Sequence, residues 1–473
     1  MSFATEIAKS VSDARILVDL DIGELNVQWV NNGAGLWAVD ALNVYSWVDS
    51  TLLVEGFSAQ NFGVISSVNV DGITLTQVDT LAEVTTTDQS FFYDTEDRMV
   101  TVRLVDFDEP SIHTIWLGII YGYSFDEFTP VGANWRYEGR LISSPSISIR
   151  RDPLFFGKLI YGGGSPTINN MDGALDDFAE NSDIYGNAAR VWIGFPSLNI
   201  SDYQRLYTGR IGGISVGESD VTPEIVDNRK QLAKPITLVA ANTNALDLIL
   251  SILENNFSAV YNDTYFDTTA WNAAQALVEN VTVNMQEPAP AIEVIEKICE
   301  SVFGLFLITA DGKYTFKIVD TTAAAGSTIN AIDIMNAKTV NYEPTEVLSS
   351  VRVGYARDWL TSGTQYTYYR DTSAEASVFT QYKTYNEQTF DTYLIDLTAA
   401  TAFGTTIMNR FRAVHGQVSV EVPMSYYATE IADIVDAEIL RPNKTMIGTT
   451  KSEIVSIDYN LNGPTMTLGL RFV

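Results

Sequence analysis

The sequence has few of the residues on which most enzyme and metal chemistry depends. Among 473 residues there is one cysteine, Cys299, and there are two histidines, His113 and His415. A single cysteine forms no disulfide within the chain, and these counts fit no standard structural zinc site. Each histidine has apolar or aromatic neighbours and lies in no motif, which favours a structural role. Counting does not exclude a Ser-His-Asp triad, but the G-x-S-x-G elbow is absent.

Positive charge is also scarce. The chain has 29 Lys and Arg against 59 Asp and Glu, a formal net charge of -30. Wrapping nucleic acid or adsorbing to an anionic membrane requires a cationic surface, so the composition argues against both. The N-terminal stretch lacks the apolar core of a signal peptide, and no apolar run reaches the ~20 residues of a membrane span. We therefore expect a soluble protein made in a cytoplasm.

Strand patterns dominate the first part of the chain. Ser67–Thr76 alternates around the Asp71-Gly72 turn, which is the strongest hairpin signal in the sequence. Phe91–Asp94 and Met99–Leu104 flank an acidic turn, and His113–Tyr123 is typical of a strand buried on both faces. These patterns predict an all-β domain at 13–130, a sandwich or small barrel, behind an N-terminal arm at 1–12.

The second β region, at 131–236, is organised around the stretch Lys158–Asp177. Three consecutive glycines interrupt its strands, and an Asp-Gly turn closes it. No Lys-Ser/Thr pair follows the glycines and no G-x-G-x-x-G opens a helix, so the phosphate-binding motifs fail. A bulge or bend inside a β-barrel is favoured over a ligand loop. The predicted turn and assembly residues are Gly162, Gly163, Gly164, Asp172 and Gly173, with no catalytic, cofactor-binding or metal-ligating residue.

Helical spacing appears further along the chain. Asn244–Glu254, Asp267–Glu279 and Pro290–Val302 are predicted helices, and a hairpin around Asp311-Gly312 follows them. The region 237–330 is therefore expected to be an inserted α+β domain. Residues 331–473 return to strands and are predicted to form a further β domain, with a helix at 399–412 and a polar excursion at 361–390.

Several groups of residues fit more than one function. Acidic clusters of this kind serve glycosidases or bind calcium, but they lack EF-hand spacing and arise easily among 59 acidic residues, so solvated turns are preferred. The clusters are Asp94 with Glu96 and Asp97, Asp106 with Asp108 and Glu109, and Asp176 with Asp177 and Glu180. The aromatic stretch Tyr366–Tyr385 fits sugar binding and packing between subunits equally well.

The order of these parts resembles a known family, the tail-tip or baseplate hub proteins of long-tailed bacteriophages, with the related hubs of gene transfer agents and contractile machines. No single motif is specific, but the ordered set spans most of the chain. The segments that carry the resemblance are Phe92–Thr95 followed by Val100–Leu104, Ile119–Ser124, Gly164–Asp176, Tyr207–Ile211, Pro290–Phe316, Ala399–Arg412 and Thr467–Arg471. One departure is Tyr427–Asp433, which has no glycine where such proteins often have a Gly-Asp pair.

The resemblance implies a mainly β fold with two hub-type β-barrels, at 131–236 and 331–473, and a β-sandwich-like N-terminal domain. It implies a non-enzymatic virion protein of the tail tip, assembled in the host cytoplasm without a cofactor. Such a protein is a homotrimer whose ring of six like barrels adapts a hexameric tail tube to threefold tip components. Its implied partners are the tail tube or distal tail protein, the tape measure protein, and tail fibre or tip proteins.

The acidic balance fits a lumen through which DNA passes without specific binding. Two rival functions stay open. One is a receptor- or glycan-binding tail protein, and the other is a cell-wall hydrolase, for which the assigned parts leave no separate domain.

Overall fold

The computed structural model of the chain describes residues 14–27, 37–41, 44–48, 63–70, 73–78, 81–84, 87, 89–94, 99–103, 115–131, 137–152, 158–173, 175, 184–320, 322–337, 340–342, 346–359, 365–439, 450–463 and 465–473. Some predictions fall elsewhere. The N-terminal arm 1–12, His113 and the acidic residues at 96–97, 106–109 and 176–180 lie outside the described residues.

Strands make up most of the secondary structure. In the first half of the chain they are β1 Arg15–Val27, β2 Trp37–Ala41, β3 Val44–Val48, β4 Gly63–Val70, β5 Ile73–Thr74, β6 Thr76–Gln77, β7 Ser90–Asp94, β8 Met99–Arg103, β9 Ile115–Ser124, β10 Leu141–Ser143, β11 Ile147–Arg151, β12 Leu159–Gly162, β13 Thr167–Asn169, β14 Ala188–Gly194, β15 Gln204–Val216 and β16 Asp220–Asp227.

In the second half they are β17 Pro235–Ile236, β18 Val239–Asn244, β19 Asn280–Asn284, β20 Ala289–Pro290, β21 Gly304–Ile308, β22 Tyr314–Ile318, β23 Ser327–Ile329, β24 Asn336–Ala337, β25 Asn341–Tyr342, β26 Ser350–Asp358, β27 Gln365–Asp371, β28 Glu387–Asp391, β29 Gly416–Pro423, β30 Ile434–Ala437, β31 Thr450–Asn460 and β32 Thr465–Phe472. The α-helices are α1 Leu81–Val84, α2 Ala245–Phe257, α3 Thr268–Gln275, α4 Ala291–Ser301, α5 Glu375–Tyr382 and α6 Leu397–Phe411.

Three of the four predicted helices begin where the sequence supplies a capping side chain. The side chain of Asn244 accepts a hydrogen bond from the backbone of α2, Asp267 does the same for α3, and Asp396 does so for α6. Such caps satisfy backbone N–H groups that have no partner within the helix. All four helices predicted from spacing are confirmed, with bounds shifted by a few residues.

Contacts divide the chain into two units that are interleaved in sequence. The first unit comprises residues 1–146 and 163–226, and the second comprises residues 147–162 and 227–473. The chain therefore passes between the units three times. The predicted domain boundaries at 130/131, 236/237 and 330/331 stay predictions.

The first unit contains a nine-stranded sheet in the order β10-β13-β16-β15-β14-β1-β9-β4-β5. The central strand β1 pairs antiparallel with β14 on one side and with β9 on the other. Its residues 16–20 are a run of buried side chains, which is typical of a strand covered on both faces. The hairpin predicted at Ser67–Thr76 is confirmed by the pairing of Asn69 with Thr74. A separate five-stranded sheet has the order β2-β3-β8-β7-β6.

The main sheet of the second unit has the order β12-β11-β31-β32-β29-β24, with β30 also on β31, β23 on β30, and β25 on β29. Strand β11 pairs with β31 in the register Ile147 to Tyr459, so residues far apart in sequence are neighbours. Burial alternates strictly along β29, with every second side chain in the core. A three-stranded sheet, β27-β26-β28, contacts helix α6 where Phe390 and Phe403 meet edge to face at 5.7 Å.

The region around α2, α3 and α4 has a core of its own, with the hairpin β21–β22. Trp271 is fully buried and its ring meets Phe266 edge to face at 5.2 Å. Ile295 and Ile298 of α4 lie in the same cluster. The chain is thus mainly β with an α+β part, as predicted. Among the described strands the pairings leave both large sheets open, so the two predicted barrels and the sandwich-like N-terminal domain are not confirmed.

Candidate functional site

The glycine segment lies at the point where the chain leaves the second unit for the first. Gly162 ends β12, and Gly163 and Gly164 follow it outside any helix or strand. A Cβ on Gly163 would lie 1.8 Å from the carbonyl oxygen of Ile225, and one on Gly164 would lie 2.3 Å from the backbone of Ser146. Neither glycine has a positive φ. Glycine is therefore needed here because backbones approach closely, and a role of these residues in assembly stays a prediction.

The predicted Asp-Gly turn is held by side chains. Gly173 has φ 70°, a left-handed conformation that favours glycine. The Arg140 guanidinium donates to both carboxylate oxygens of Asp172, at 2.8 and 2.7 Å. These bonds fix the turn and leave Met171 at its tip 80% exposed. A large apolar side chain on a fixed turn is suited to contact with another molecule.

Both sheets also expose large apolar side chains on their outermost strands. In the first unit, Ile142 lies on the outer strand β10 and is 55% exposed. In the second unit, Ile160 lies on the outer strand β12, and the opposite side of that sheet carries Ile332, Met335 and Tyr342 around β24 and β25. Ile332 is 91% exposed. These residues were not predicted, because only the strand order reveals which strands lie at an edge.

A buried charged cluster lies in the second unit. Glu453 of β31 is fully buried between two arginines: Arg151 of β11 contacts one carboxylate oxygen at 3.1 Å, and Arg410 of α6 bonds the other. Burial lowers the pKa of Arg151 to about 10, because desolvation disfavours the charged form and the neighbouring Arg410 and Arg471 add repulsion. A buried ion pair of this kind ties together segments from residues 151, 410 and 453.

Arg471 of β32 is the third buried arginine. Its guanidinium carbon lies 4.4 Å from the centre of the Phe411 ring, and its nearest carboxylate oxygen, on Glu346, is 3.7 Å away. His415 is partly buried beside this cluster, and desolvation together with the neighbouring arginines lowers its pKa. This arrangement supports a structural histidine. The cluster was not predicted from the sequence, although an arginine inside the apolar run Leu468–Phe472 is a signal that could have revealed it.

A cleft of about 490 Å³ opens in the second unit beside the end of β22. Lys317 lies in it, with its ammonium 2.5 Å from Asp433 and 3.3 Å from Glu430. Most other lining residues are small, such as Ala323, Ser327 and Ala428. Because Lys317 is paired with Asp433 and Glu430, the cleft contains an ion-pair network. Within the described ranges, no group of three or more His, Cys, Asp or Glu is placed to hold a metal ion.

The aromatic stretch Tyr366–Tyr385 comprises most of strand β27, helix α5 and the loop that follows the helix. Tyr368 on β27 donates its hydroxyl hydrogen to Asp391 at 3.2 Å, and the guanidinium of Arg352 lies 3.8 Å from the Tyr368 ring centre. On the following helix and loop, Phe379 and Tyr385 stack at 4.6 Å and both are exposed. The stretch thus presents two separate aromatic surfaces.

Cys299 is buried in α4, and desolvation raises the pKa of its thiol, as expected for an inert core residue. No helix in the described part of the chain is long and apolar enough to span a membrane.

No protein-family model matches the chain, and no curated protein matches its sequence. Solved structures do match. A tail protein from Neisseria meningitidis MC58 is 12% identical, with a TM-score of 0.45, and the match covers 70% of this chain and 94% of that protein. The 43 kDa tail protein of prophage MuSo2 from Shewanella oneidensis is 12% identical, with a TM-score of 0.42 and coverage of 73% and 98%.

The prophage tail protein gp18 from Listeria monocytogenes EGD-e is also 12% identical, with a TM-score of 0.40 and coverage of 69% and 88%. All three neighbours are tail proteins, and two of them come from prophages. The resemblance inferred from the sequence is to proteins of the same kind, and the structural likeness is distant.

Proposed function

We propose that the chain is a structural protein of a bacteriophage-type tail and acts as a homotrimeric hub at the tail tip. The observation that carries this proposal is the exposure of large apolar side chains on the outer strands of its sheets. An edge strand offers unpaired N–H and C=O groups, and proteins usually protect such edges with charge or cover them. Here Ile142, Ile160 and Tyr342 lie on outer strands, and Ile332 and Met335 lie just before the outer strand β24. Exposed apolar residues of this kind are typical of surfaces that become buried on assembly.

The two edges of the main sheet in the second unit expose different apolar residues. Ile160 marks the β12 side, whereas Ile332, Met335 and Tyr342 mark the side of β24 and β25. A contact between two different surfaces of identical chains is head-to-tail, and such contacts produce a closed ring when the rotation permits. The number of subunits, three, comes from the sequence resemblance to hub proteins. Together these considerations favour a cyclic trimer joined through its sheet edges.

The formal charge of -30 supports the further proposal that acidic residues line a channel for DNA ejection, because like charge keeps DNA from adhering. The proposed partners are the tail tube or distal tail protein, the tape measure protein and the fibre or tip proteins.

The test is the solution mass of the purified chain and of paired variants, measured by light scattering after size exclusion. The wild type should elute at three times the 52.2 kDa chain mass. The double variant Ile332→Asp with Met335→Asp places two charges on the proposed contact and should reduce that mass. Leu277→Asp is the matched control, since Leu277 is 74% exposed in the same unit but lies outside the sheet edge.

A trimer that survives both edge substitutions would show that this edge is not the contact. A wild-type chain that remains a monomer at high concentration would contradict the hub itself.

Glycan binding is the second candidate function, and the face around Tyr368 favours it. An exposed aromatic ring beside the Asp391 carboxylate and the Arg352 guanidinium combines a stacking surface with groups that bind hydroxyls. Glycan-array binding by the full chain, lost in Tyr368→Ala and retained in Phe379→Ala, would support this candidate. Equal binding by both variants, or none by the wild type, would count against it.

A further inference from the structure

Charge is unbalanced inside the second unit. Three arginines of this cluster, Arg151, Arg410 and Arg471, are at most 8% exposed, and among the described residues Glu453 is the one equally buried carboxylate beside them. Glu346 lies farther from Arg471, at 3.7 Å, and is more exposed. Asp152 also acts on Arg151 from a partly exposed position. The fully buried part of the cluster therefore has more positive than negative charge.

Nearby groups offset this surplus only in part. Arg410 and Phe411 lie in the last turn of α6, where the helix end supplies at most about half of a negative charge. The face of the Phe411 ring attracts the Arg471 guanidinium at 4.4 Å, but an aromatic ring accepts no conventional hydrogen bond from it. Buried cations without full compensation are destabilising, so a further negative group is expected.

The hydrogen-bond donors give a second, independent observation. The Nε and Nη1 atoms of Arg471 are buried and have no hydrogen-bond partner among the described residues, and the same is true of Nε2 of His415. Buried polar groups in proteins are almost always satisfied, either by protein atoms or by an ordered water or ion. A negatively charged acceptor would therefore both compensate the charge of Arg471 and satisfy its two unpaired donor atoms.

We propose that Arg471, with the positive field of Arg410 and Arg151, forms a binding site for a small inorganic anion, a halide or an oxyanion such as phosphate. Arg471 donates to the ion, and the other two arginines contribute charge while they remain bonded to Glu453. A small ion is required because the Arg471 side chain is 2% exposed, which leaves no access for a macromolecule. The site joins three distant segments, at β11, at the end of α6 and at β32.

The lowered pKa of Arg471 is consistent with a bound anion. Burial and the charge of Arg410 lower the pKa of Arg471 to about 10. Its surroundings thus disfavour the cationic form, and a bound anion would remove that penalty. The ion would stabilise the second unit independently of whether the chain is a hub.

The experiment measures the midpoint of thermal unfolding of the full chain in sodium chloride, bromide, phosphate and gluconate at equal ionic strength. We expect the midpoint to be several degrees higher in the favoured small anion than in gluconate, which is too large for the site. Arg471→Gln should remove this difference. Arg370→Gln, which changes an arginine of the same unit whose side chain is 53% exposed, should retain it. The difference between the unfolding midpoints in chloride and in phosphate distinguishes a halide site from an oxyanion site.

A direct measurement covers the case in which Arg471→Gln does not fold. Crystals of the wild type grown in bromide should give an anomalous peak within hydrogen-bond distance of the Arg471 guanidinium, or a phosphate there if the site takes oxyanions. Equal midpoints in all four salts, or a crystal with only water beside Arg471, would overturn the proposal.

Discussion

Gly163→Ala is the substitution that tests the glycine segment most directly. It adds one methyl group to a residue whose φ is not positive, so left-handed strain does not contribute and the effect comes from the lack of space. The new Cβ would lie 1.8 Å from the carbonyl oxygen of Ile225, 2.8 Å from its carbonyl carbon and 3.1 Å from the Cα of Val226. All three atoms belong to the backbone, which cannot rotate away as a side chain can.

The expected cost follows from that geometry. Real Cβ atoms essentially never approach other heavy atoms within 3.0 Å, so the two backbones must separate by more than an ångström. That shift would disturb the hydrogen bond from Ile225 N to Gly164 O, which is 3.2 Å long. Overpacking usually costs about 1–3 kcal/mol, and rigid surroundings place this case at the upper end or beyond. A loss of about 3 kcal/mol is a large part of the stability of a typical domain.

Urea unfolding followed by circular dichroism measures the effect, with Gly213→Ala as the control. Gly213 also lies in the first unit, but its nearest neighbour would be the flexible end of Glu224, at 3.3 Å. The control should change the free energy of unfolding by no more than about 0.5 kcal/mol, since alanine also restricts the unfolded chain. Gly163→Ala unfolding at the same urea concentration as the control would refute the close-approach explanation.

Two further substitutions test local electrostatics and backbone strain. Asp19 is buried and accepts a hydrogen bond from Trp192 at 2.7 Å, and desolvation raises its pKa from 3.8 to about 6. The folded state therefore holds the proton more tightly than the unfolded state, so this contribution to stability is complete below pH 4 and is lost as the pH rises to 6, by about 3 kcal/mol. Asp19→Asn should remove that part of the pH dependence of the urea midpoint, and unchanged curves would contradict the assignment. Ala432 has φ 65°, so Ala432→Gly should raise the free energy of unfolding by about 1 kcal/mol, whereas Ala437→Gly, in the buried strand β30, should lower it; loss of stability in both would rule out strain at Ala432.

Local signals in the sequence account for the elements that were predicted correctly. The helices α2, α3 and α6 have both apolar spacing and a capping side chain, at Asn244, Asp267 and Asp396. Helix α5 was missed because Val378 is its one buried residue, so the apolar stripe that marks a helix is absent. It lies in the polar excursion predicted at 361–390, between β27 and β28.

Long-range pairing has no comparable local signal. Strands β11 and β12 follow the first-unit strand β10 in sequence, yet β11 pairs with β31 some three hundred residues later. Nothing in the residues around Ile147 specifies that partner, and the prediction therefore placed this segment in the first β-barrel. The edge positions of Ile160 and Ile332 depend on the same strand order and were out of reach for the same reason.

Residues in environments that are unusual for their type were predicted least well. Arginine and glutamate are rarely buried unless paired, so the residue types of Arg151, Arg410 and Glu453 gave no reason to place them in the core, where the structure has them. The turn at Tyr427–Asp433 shows the opposite case. Its lack of glycine was noticed in the sequence, and the structure supplies the physical meaning, because Ala432 there adopts a conformation that glycine would occupy without strain.

The number of chains in the native assembly tests the central claim most directly. Native mass spectrometry of the purified full chain, across a range of concentrations and at low and moderate salt, counts the subunits without a structural assumption. The hub account predicts a dominant species of three times 52.2 kDa. A single species of 52.2 kDa at every concentration, also in the presence of tail tube and distal tail proteins, would contradict it.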